Sequence, residues 1–144
     1  SEGCDGGLMG EAIQFASKNG VCVTADYPYT ARDGSCKKDC KTVVQPKAVK
    51  ELKGDAALQQ AVLQGPVSVG LAASSSAFQF YSSGVVSSCT DRSLNHGVTL
   101  VGIANDAAGG DYYIIRNSWG ASWGFKGYIH LSVKGNQCGL GTSP

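Results

Sequence analysis

His96 and Asn117 are the two residues of this chain whose types and positions can do acid–base chemistry together. His96 opens the apolar run Gly97-Val98-Thr99-Leu100-Val101, and Asn117 follows Tyr112-Tyr113-Ile114-Ile115-Arg116. If Gly97 to Ile103 and Tyr112 to Arg116 pair as a hairpin around Asn105 to Asp111, the start of one strand lies beside the end of the other. His96 and Asn117 then become cross-strand neighbours. An amide oxygen that accepts one ring N–H of an imidazole fixes the other ring nitrogen outward, where it can take a proton from a thiol or a hydroxyl. Such a constellation is recognised by roles rather than by order along the chain. A histidine at a strand start can also be purely structural. His130, in mid-strand without an obvious orienting partner, reads as part of a solvated strand face.

The stretch Asn117-Ser118-Trp119-Gly120-Ala121-Ser122-Trp123-Gly124 joins the strand ending at Arg116 to a further strand, Gly127 to Val133. A short polar turn is the usual link between two apolar strands. Here two indoles stand four residues apart, and each carries an N–H that needs a partner when buried. Trp119 and Trp123 can plug the end of a sheet. Alternatively, an indole can roof a histidine–asparagine pair.

The elements that must position these residues follow from periodicity. Leu8, Ala12, Phe15 and Ala16, with Met9 and Ile13 alongside, fall at helical spacing, and Asn19-Gly20 stops that helix. Thr24 to Lys47 is polar and shows little periodicity, so an irregular connection is expected there. The composition changes at Gln45-Pro46, which divides the chain into a first subdomain, 1–46, and a second, 47–144. In the second, Asp55 can cap a helix over Ala56 to Gln64 that Gly65-Pro66 ends. Val67 to Leu71 alternates as a strand, and Ser76 to Tyr81 reads as a helical turn presenting Phe78 and Tyr81. Three further strands with glycine-rich links complete a twisted antiparallel sheet that curls toward a barrel. The fold class is α+β.

Bulk numbers exclude some functions. The chain has 144 residues and a net charge of +1, which gives no electrostatic case for binding nucleic acid or an anionic membrane. No apolar run approaches membrane-spanning length. Six cysteines, Cys4, Cys22, Cys36, Cys40, Cys89 and Cys138, form no C-x-x-C pair, and neither histidine is near Cys36 and Cys40, which are separated by three residues. Disulfides are therefore expected rather than a zinc site, with a secreted, lysosomal or vacuolar location. The opening, Ser1-Glu2-Gly3-Cys4, has the character of a processed chain or a fragment and not of a signal peptide.

The run Asn95-His96-Gly97-Val98, then Asn117-Ser118-Trp119-Gly120, Trp123-Gly124 and Gly127-Tyr128-Ile129, resembles the papain-like cysteine peptidases. Gly3-Cys4-Asp5-Gly6-Gly7-Leu8-Met9 resembles their cathepsin L branch. So do Tyr27-Pro28-Tyr29, Gly65-Pro66-Val67-Ser68-Val69, Tyr81-Ser82-Ser83-Gly84-Val85 and Cys138-Gly139-Leu140. The motifs run through the whole chain in the family's order. The resemblance implies a papain-like fold, with 1–46 as the remainder of the helical left subdomain and 47–144 as the barrel-like right subdomain. It makes His96 the general base and ion-pair partner of the nucleophile and Asn117 the residue that orients it. Trp119 becomes the shield over their hydrogen bond, and Trp123 an aromatic wall on the leaving-group side. Gly6 and Gly7 match a turn whose backbone pairs with an extended substrate. Leu8, Met9, Gly70, Gly97 and Ser143 match an apolar pocket that favours Leu, Phe or Val, and Asn95 stands at a substrate-contacting position. Cys89 would bond Cys138. Cys4 and Cys36 match cysteines whose partners lie outside these residues. Cys22 and Cys40 are additional to the papain pattern and are expected to pair with each other. Polypeptide substrates, and prosegment or cystatin-like inhibitors, are the implied partners; no metal or organic cofactor is implied.

The chain departs from that pattern in one decisive respect and one smaller one. No Cys-Gly-Ser-Cys-Trp-like nucleophile motif is present. The family separates its nucleophile from its histidine by about 130 residues or more, whereas His96 stands 95 positions after Ser1. The nucleophile is thus expected at least roughly 35 residues before Ser1, and the N-terminal segment carrying it becomes a further partner. The alternative is a non-catalytic or structural homologue of the silicatein kind, in which the nucleophile is replaced. Position 95 is Asn where papain has Asp, as in several cathepsins.

Overall fold

A computed structural model describes residues 2–37 and 39–142, and the chain divides into two compact units, Ser1–Glu51 and Leu52–Pro144. In the first unit a 3-10 turn at Gly3–Asp5 leads into α1 (Met9–Asn19). Helix α1 stops at Gly20, whose φ of 72° suits a residue without a side chain and whose N–H returns to the Ala16 carbonyl at 2.7 Å. The chain then forms β1 (Val21–Cys22), which pairs antiparallel with β2 (Thr42–Val44). This small ribbon lies partly within the stretch expected to be irregular. Its cause is the β-branched run Thr42-Val43-Val44, which suits a pleated ribbon, and a disulfide from Cys22 to Cys40 fastens it.

The second unit contains α2 (Asp55–Val62), β3 (Val67–Leu71), α3 (Ser76–Gln79), β4 (Val85–Val86), β5 (His96–Asp106), β6 (Gly110–Arg116) and β7 (Tyr128–Ser132). The strands form one five-stranded sheet in the order β3-β5-β6-β7-β4. Every pairing is antiparallel except β4 with β7, where Val85 meets His130 and Val86 meets Leu131 in parallel register. The two-residue β4 is too short to carry a periodic signal, so the sequence pattern passes over it.

Alternation builds the core. Val98 and Leu100 on β5, Tyr113 and Ile115 on β6, and Ile129 and Leu131 on β7 all point to one face, as the two-residue period requires. Leu58 and Val62 of α2 join the same buried cluster, as do Leu71 and Phe78. Gly54, and not Asp55, stands at the N-cap of α2, where no side chain caps the helix. Asp55 lies in the first turn, where a carboxylate suits the helix dipole, and its Oδ1 accepts the Tyr113 hydroxyl at 3.3 Å. Burial pushes the Tyr113 phenol up to about 12. A buried disulfide, Cys89–Cys138, is reinforced by the Cys138 N–H on the Cys89 carbonyl at 2.9 Å. The β5–β6 hairpin is longer than the sequence reading, because Asp106 Oδ1 takes the Ala108 N–H at 2.9 Å and closes a tight turn inside the expected loop.

His130 does not lie on a freely solvated face. Its half-buried ring sits 4.8 Å from that of Tyr112 and 5.8 Å from that of Phe125, and burial holds its pKa below the ordinary imidazole value. Between that lowered native value and about 6.5 the unfolded chain binds more protons than the folded one. The stabilisation is therefore complete above about pH 6.5 and is lost as pH falls through the native value. His130→Gln is expected to flatten the fall in stability on acidification, measured by denaturant unfolding at several pH values from neutral to mildly acidic.

Candidate active site

The hairpin brings His96 and Asn117 together. The β5–β6 ladder pairs Thr99 with Arg116 and shifts register between Leu100 and Gly102. Carried one step further, that register sets Asn117 opposite Val98, so His96 is its diagonal neighbour on the same face. His96 Nε2 lies 2.8 Å from Asn117 Oδ1. The same Oδ1 accepts the Ser118 N–H at 2.8 Å. A backbone N–H can only donate, so the amide oxygen must face both groups; a flipped amide would set donor against donor. Nε2 consequently carries a proton, and Nδ1 is the nitrogen left for chemistry. Asn117 is only 8% exposed, which keeps water from competing for its oxygen.

The link after β6 is braced by the Asn117 N–H on the Gly127 carbonyl at 3.0 Å and the Gly127 N–H on the Trp123 carbonyl at 2.8 Å. This folding splits the indoles into two jobs. The Trp119 ring lies 5.2 Å from the His96 ring, tilted by 33°, with its outer side exposed. Trp123 is half-buried against Phe78 at 5.0 Å and Tyr81 at 6.2 Å, and its Nε1 donates to the Gln79 carbonyl at 3.1 Å. One indole covers the imidazole and the other closes the core.

Phe78 is the site residue whose role sequence reasoning passed over. It is fully buried and sits edge-on to both His96, at 6.1 Å, and Trp119, at 5.4 Å. Ser75 positions it by capping α3, its Oγ accepting the Phe78 N–H at 3.3 Å. A serine three residues before the first of the clustered aromatics Phe78, Phe80 and Tyr81 was the available signal.

Gly124 shows why a glycine must follow Trp123. Its φ is +58°, and an added Cβ would stand 2.6 Å from the Tyr128 carbonyl oxygen. Gly124→Ala is expected to destabilise the protein by about 1–3 kcal/mol through backbone strain, measured as a shift in the denaturant midpoint.

Strand β3 supplies the other flank of His96. Leu71 pairs with His96 and Gly70 with Gly97. The Asn95 carboxamide is occupied at both ends: its oxygen accepts the Ala73 N–H at 2.9 Å and its nitrogen donates to the Ser74 hydroxyl. In the first unit Gly6 adopts φ +112°, within a turn closed by the Glu2 N–H on the Gly6 carbonyl at 2.8 Å. Gly7 and Leu8 follow as exposed residues, and a half-buried Met9 opens α1. Ser143 lies outside the described residues. Among the described residues Cys4 and Cys36 form no disulfide, and both are exposed there. The Asp33 carboxylate beside Cys4 raises that thiol above its ordinary value, which opposes thiolate formation. Among the described residues no three His, Cys, Asp or Glu side chains cluster as metal ligands would.

The family described as papain family cysteine protease matches residues 1–144. The chain belongs to the papain family. Cathepsin L 2 of Paramecium tetraurelia is 43% identical over 145 residues, covering 100% of this chain and 44% of that protein. Vignain of Vigna mungo is 40% identical over 149 residues, covering 97% of this chain and 41% of that one. Among solved structures, the bromelain protease of Ananas comosus, in complex with the E64 inhibitor, superposes with a TM-score of 0.89 at 35% identity, covering 97% of this chain and 68% of that one. The proform of the ragweed cysteine protease Amb a 11 gives 0.94 at 35% identity, covering 99% and 46%. This papain-family chain corresponds to the C-terminal part of the enzyme and spans less than half the length of the Paramecium and Vigna relatives.

Proposed function

We propose that this chain supplies the base, its orienting amide and part of the substrate-binding surface of a cysteine endopeptidase whose nucleophile lies outside these 144 residues. The observation that carries the reading is the Asn117 Oδ1 held between His96 Nε2 and the Ser118 N–H, with Trp119 against the imidazole. That arrangement leaves His96 Nδ1 as the working nitrogen, which is what thiolate–imidazolium chemistry requires.

In this mechanism a thiolate of the full-length enzyme attacks the peptide carbonyl carbon, forming a carbon–sulfur bond and placing charge on the carbonyl oxygen. As the tetrahedral species collapses, the carbon–nitrogen bond breaks and His96 Nδ1–H delivers its proton to the leaving amine. Neutral His96 then takes a proton from water. The hydroxide adds to the thioester carbonyl, the carbon–sulfur bond breaks, and the acid leaves with thiolate and imidazolium restored. Asn117 acts through His96, so it is a positioning residue. Substrate contact by Gly6, Gly7, Leu8, Met9, Asn95, Gly97 and Gly70, with Trp123 on the leaving-group side, belongs to the same proposal. So do a lysosomal, vacuolar or secreted location, in keeping with the two disulfides, and control by a prosegment or cystatin-like inhibitors. The proform and inhibitor complexes among the similar structures support this last point.

The test is hydrolysis of a peptide substrate by the full-length protein at mildly acidic pH. The account expects turnover that a thiol-directed epoxide stops, and none from the 144-residue chain alone. Absence of turnover from the full-length protein would favour the homologue with a replaced nucleophile, and turnover by the short chain would place the nucleophile within it.

A further inference from the structure

The half-buried Ser75 hydroxyl has two engagements, and only one of them is needed to cap α3. Its Oγ accepts the Phe78 N–H at 3.3 Å and also lies 3.2 Å from Cys89 Sγ. Cys89 is bonded to Cys138, so its sulfur has no proton to give. The Ser75 hydroxyl is therefore the donor and the sulfur the acceptor. A cap asks only for an oxygen that accepts, which Asp or Asn supplies as well. The second bond asks the same atom to donate, and among the good caps only Ser and Thr do so.

The sulfur is a fixed point. Cys89 and Cys138 are both buried, the Cys89 N–H donates to Gln137 Oε1 at 2.9 Å, and the Cys138 carbonyl accepts the Ala72 N–H at 2.8 Å. Helix α3 is not fixed by itself, since a single helical turn has an unfavourable nucleus and little to offset it. Yet this turn carries Phe78, edge-on to His96 and Trp119, and the Gln79 carbonyl that holds Trp123.

We infer that Ser75 is a positioning residue that fastens the floor beneath His96 to the Cys89–Cys138 disulfide. Its catalytic part rests on the reading of His96 as the base of a peptidase. The link runs from the disulfide sulfur through the Ser75 hydroxyl to the Phe78 N–H, and from the Phe78 ring to the imidazole. Every step lies within the second unit. The disulfide thus sets where the floor stands as well as joining two distant parts of the chain. Without the hydroxyl, α3 keeps its backbone bonds from the Gln79 N–H to the Ser75 carbonyl and from the Phe80 N–H to the Ser76 carbonyl. It loses its reference to the sulfur, and Phe78 settles away from His96.

Two measurements on the full-length enzyme test this. The first is neutron diffraction after exchange into deuterium oxide. The Ser75 deuterium is expected between Oγ and Cys89 Sγ, and a deuterium turned to water or to a carbonyl oxygen overturns the inference. The second is a variant series read by kinetics on a peptide substrate and by NMR of the His96 ring protons. Ser75→Ala is expected to lower kcat by roughly three- to tenfold, less than the about 10²-fold that a 1 Å misplacement can cost, and to leave KM in place. The His96 ring resonances should move with it, because the Phe78 and Trp119 rings act on them. Ser75→Thr, which keeps both acceptor and donor, should restore both readouts, and Ser76→Ala, at an exposed position of the same turn, should change neither. A parent-like Ser75→Ala, or a Ser75→Thr no better than Ser75→Ala, overturns the inference. The neutron experiment uses the unsubstituted enzyme, so an unstable variant does not shield it. Thiol-directed epoxide labelling of the parent separates the two claims. A labelled parent whose Ser75 deuterium points away from the sulfur sinks the anchor and leaves the peptidase standing. An inactive, unlabelled parent sinks the peptidase, while the deuterium and the His96 resonances still decide the anchor.

Discussion

His96→Ala in the full-length enzyme is expected to lower kcat by at least roughly 10²–10⁴-fold, the range for loss of a general acid–base group. The loss is expected in kcat more than in KM, because the imidazole handles protons and does not hold the substrate in the ground state. The geometry makes this site particular. Nε2 is committed to Asn117 Oδ1 at 2.8 Å, so no other ring atom can share the task of Nδ1. The second histidine cannot substitute, because His130 lies in β7 between Tyr112 and Phe125 and away from the amide. Steady-state kinetics on a peptide substrate checks the result, and a variant with kcat within tenfold of the parent would remove His96 from the mechanism.

Phe78→Ala carries the largest expected effect on stability, about 3–5 kcal/mol. The ring is fully buried and touches three aromatic groups: His96, Trp119 and Trp123. Truncation leaves a cavity that α3, a single helical turn, cannot fill by moving without breaking the Ser75 cap. Tm is expected to fall by about 10 °C or more. Activity should fall further than stability alone explains, since the ring also fixes the floor beneath His96 and Trp119. Phe78→Leu, which restores most of the volume, should recover much of the stability. A Phe78→Ala protein that melts with the parent would show that the floor is not a structural support.

The positions of His96 and Asn117 were legible because each stands at the end of a long, strongly apolar strand, and a hairpin has few registers that bury Leu100, Tyr113 and Ile115 together. The indoles were legible as a pair but not in their division of labour. That division depends on the Gln79 carbonyl and the Phe78 ring, which come from the short helix α3, forty residues away in sequence. The cap at Gly54 instead of Asp55 was not legible either. A carboxylate at that point can cap the helix or enter its first turn, and the buried Tyr113 hydroxyl decides for the turn. Strand β4 escaped notice because two residues have no period and its partner, β7, is parallel and distant in sequence. The contact of Ser75 with Cys89 could only be found in three dimensions, since the sequence shows a hydroxyl but not which groups it bonds.

The central claim is that His96 serves a thiol from outside these 144 residues. Labelling the full-length enzyme with a thiol-directed epoxide at mildly acidic pH, followed by peptide mapping, tests it most directly. The account predicts one labelled cysteine, located before Ser1, and labelling that His96→Ala slows. Label on Cys4 or Cys36, which form no disulfide among the described residues, or no label anywhere in the intact protein, would contradict it.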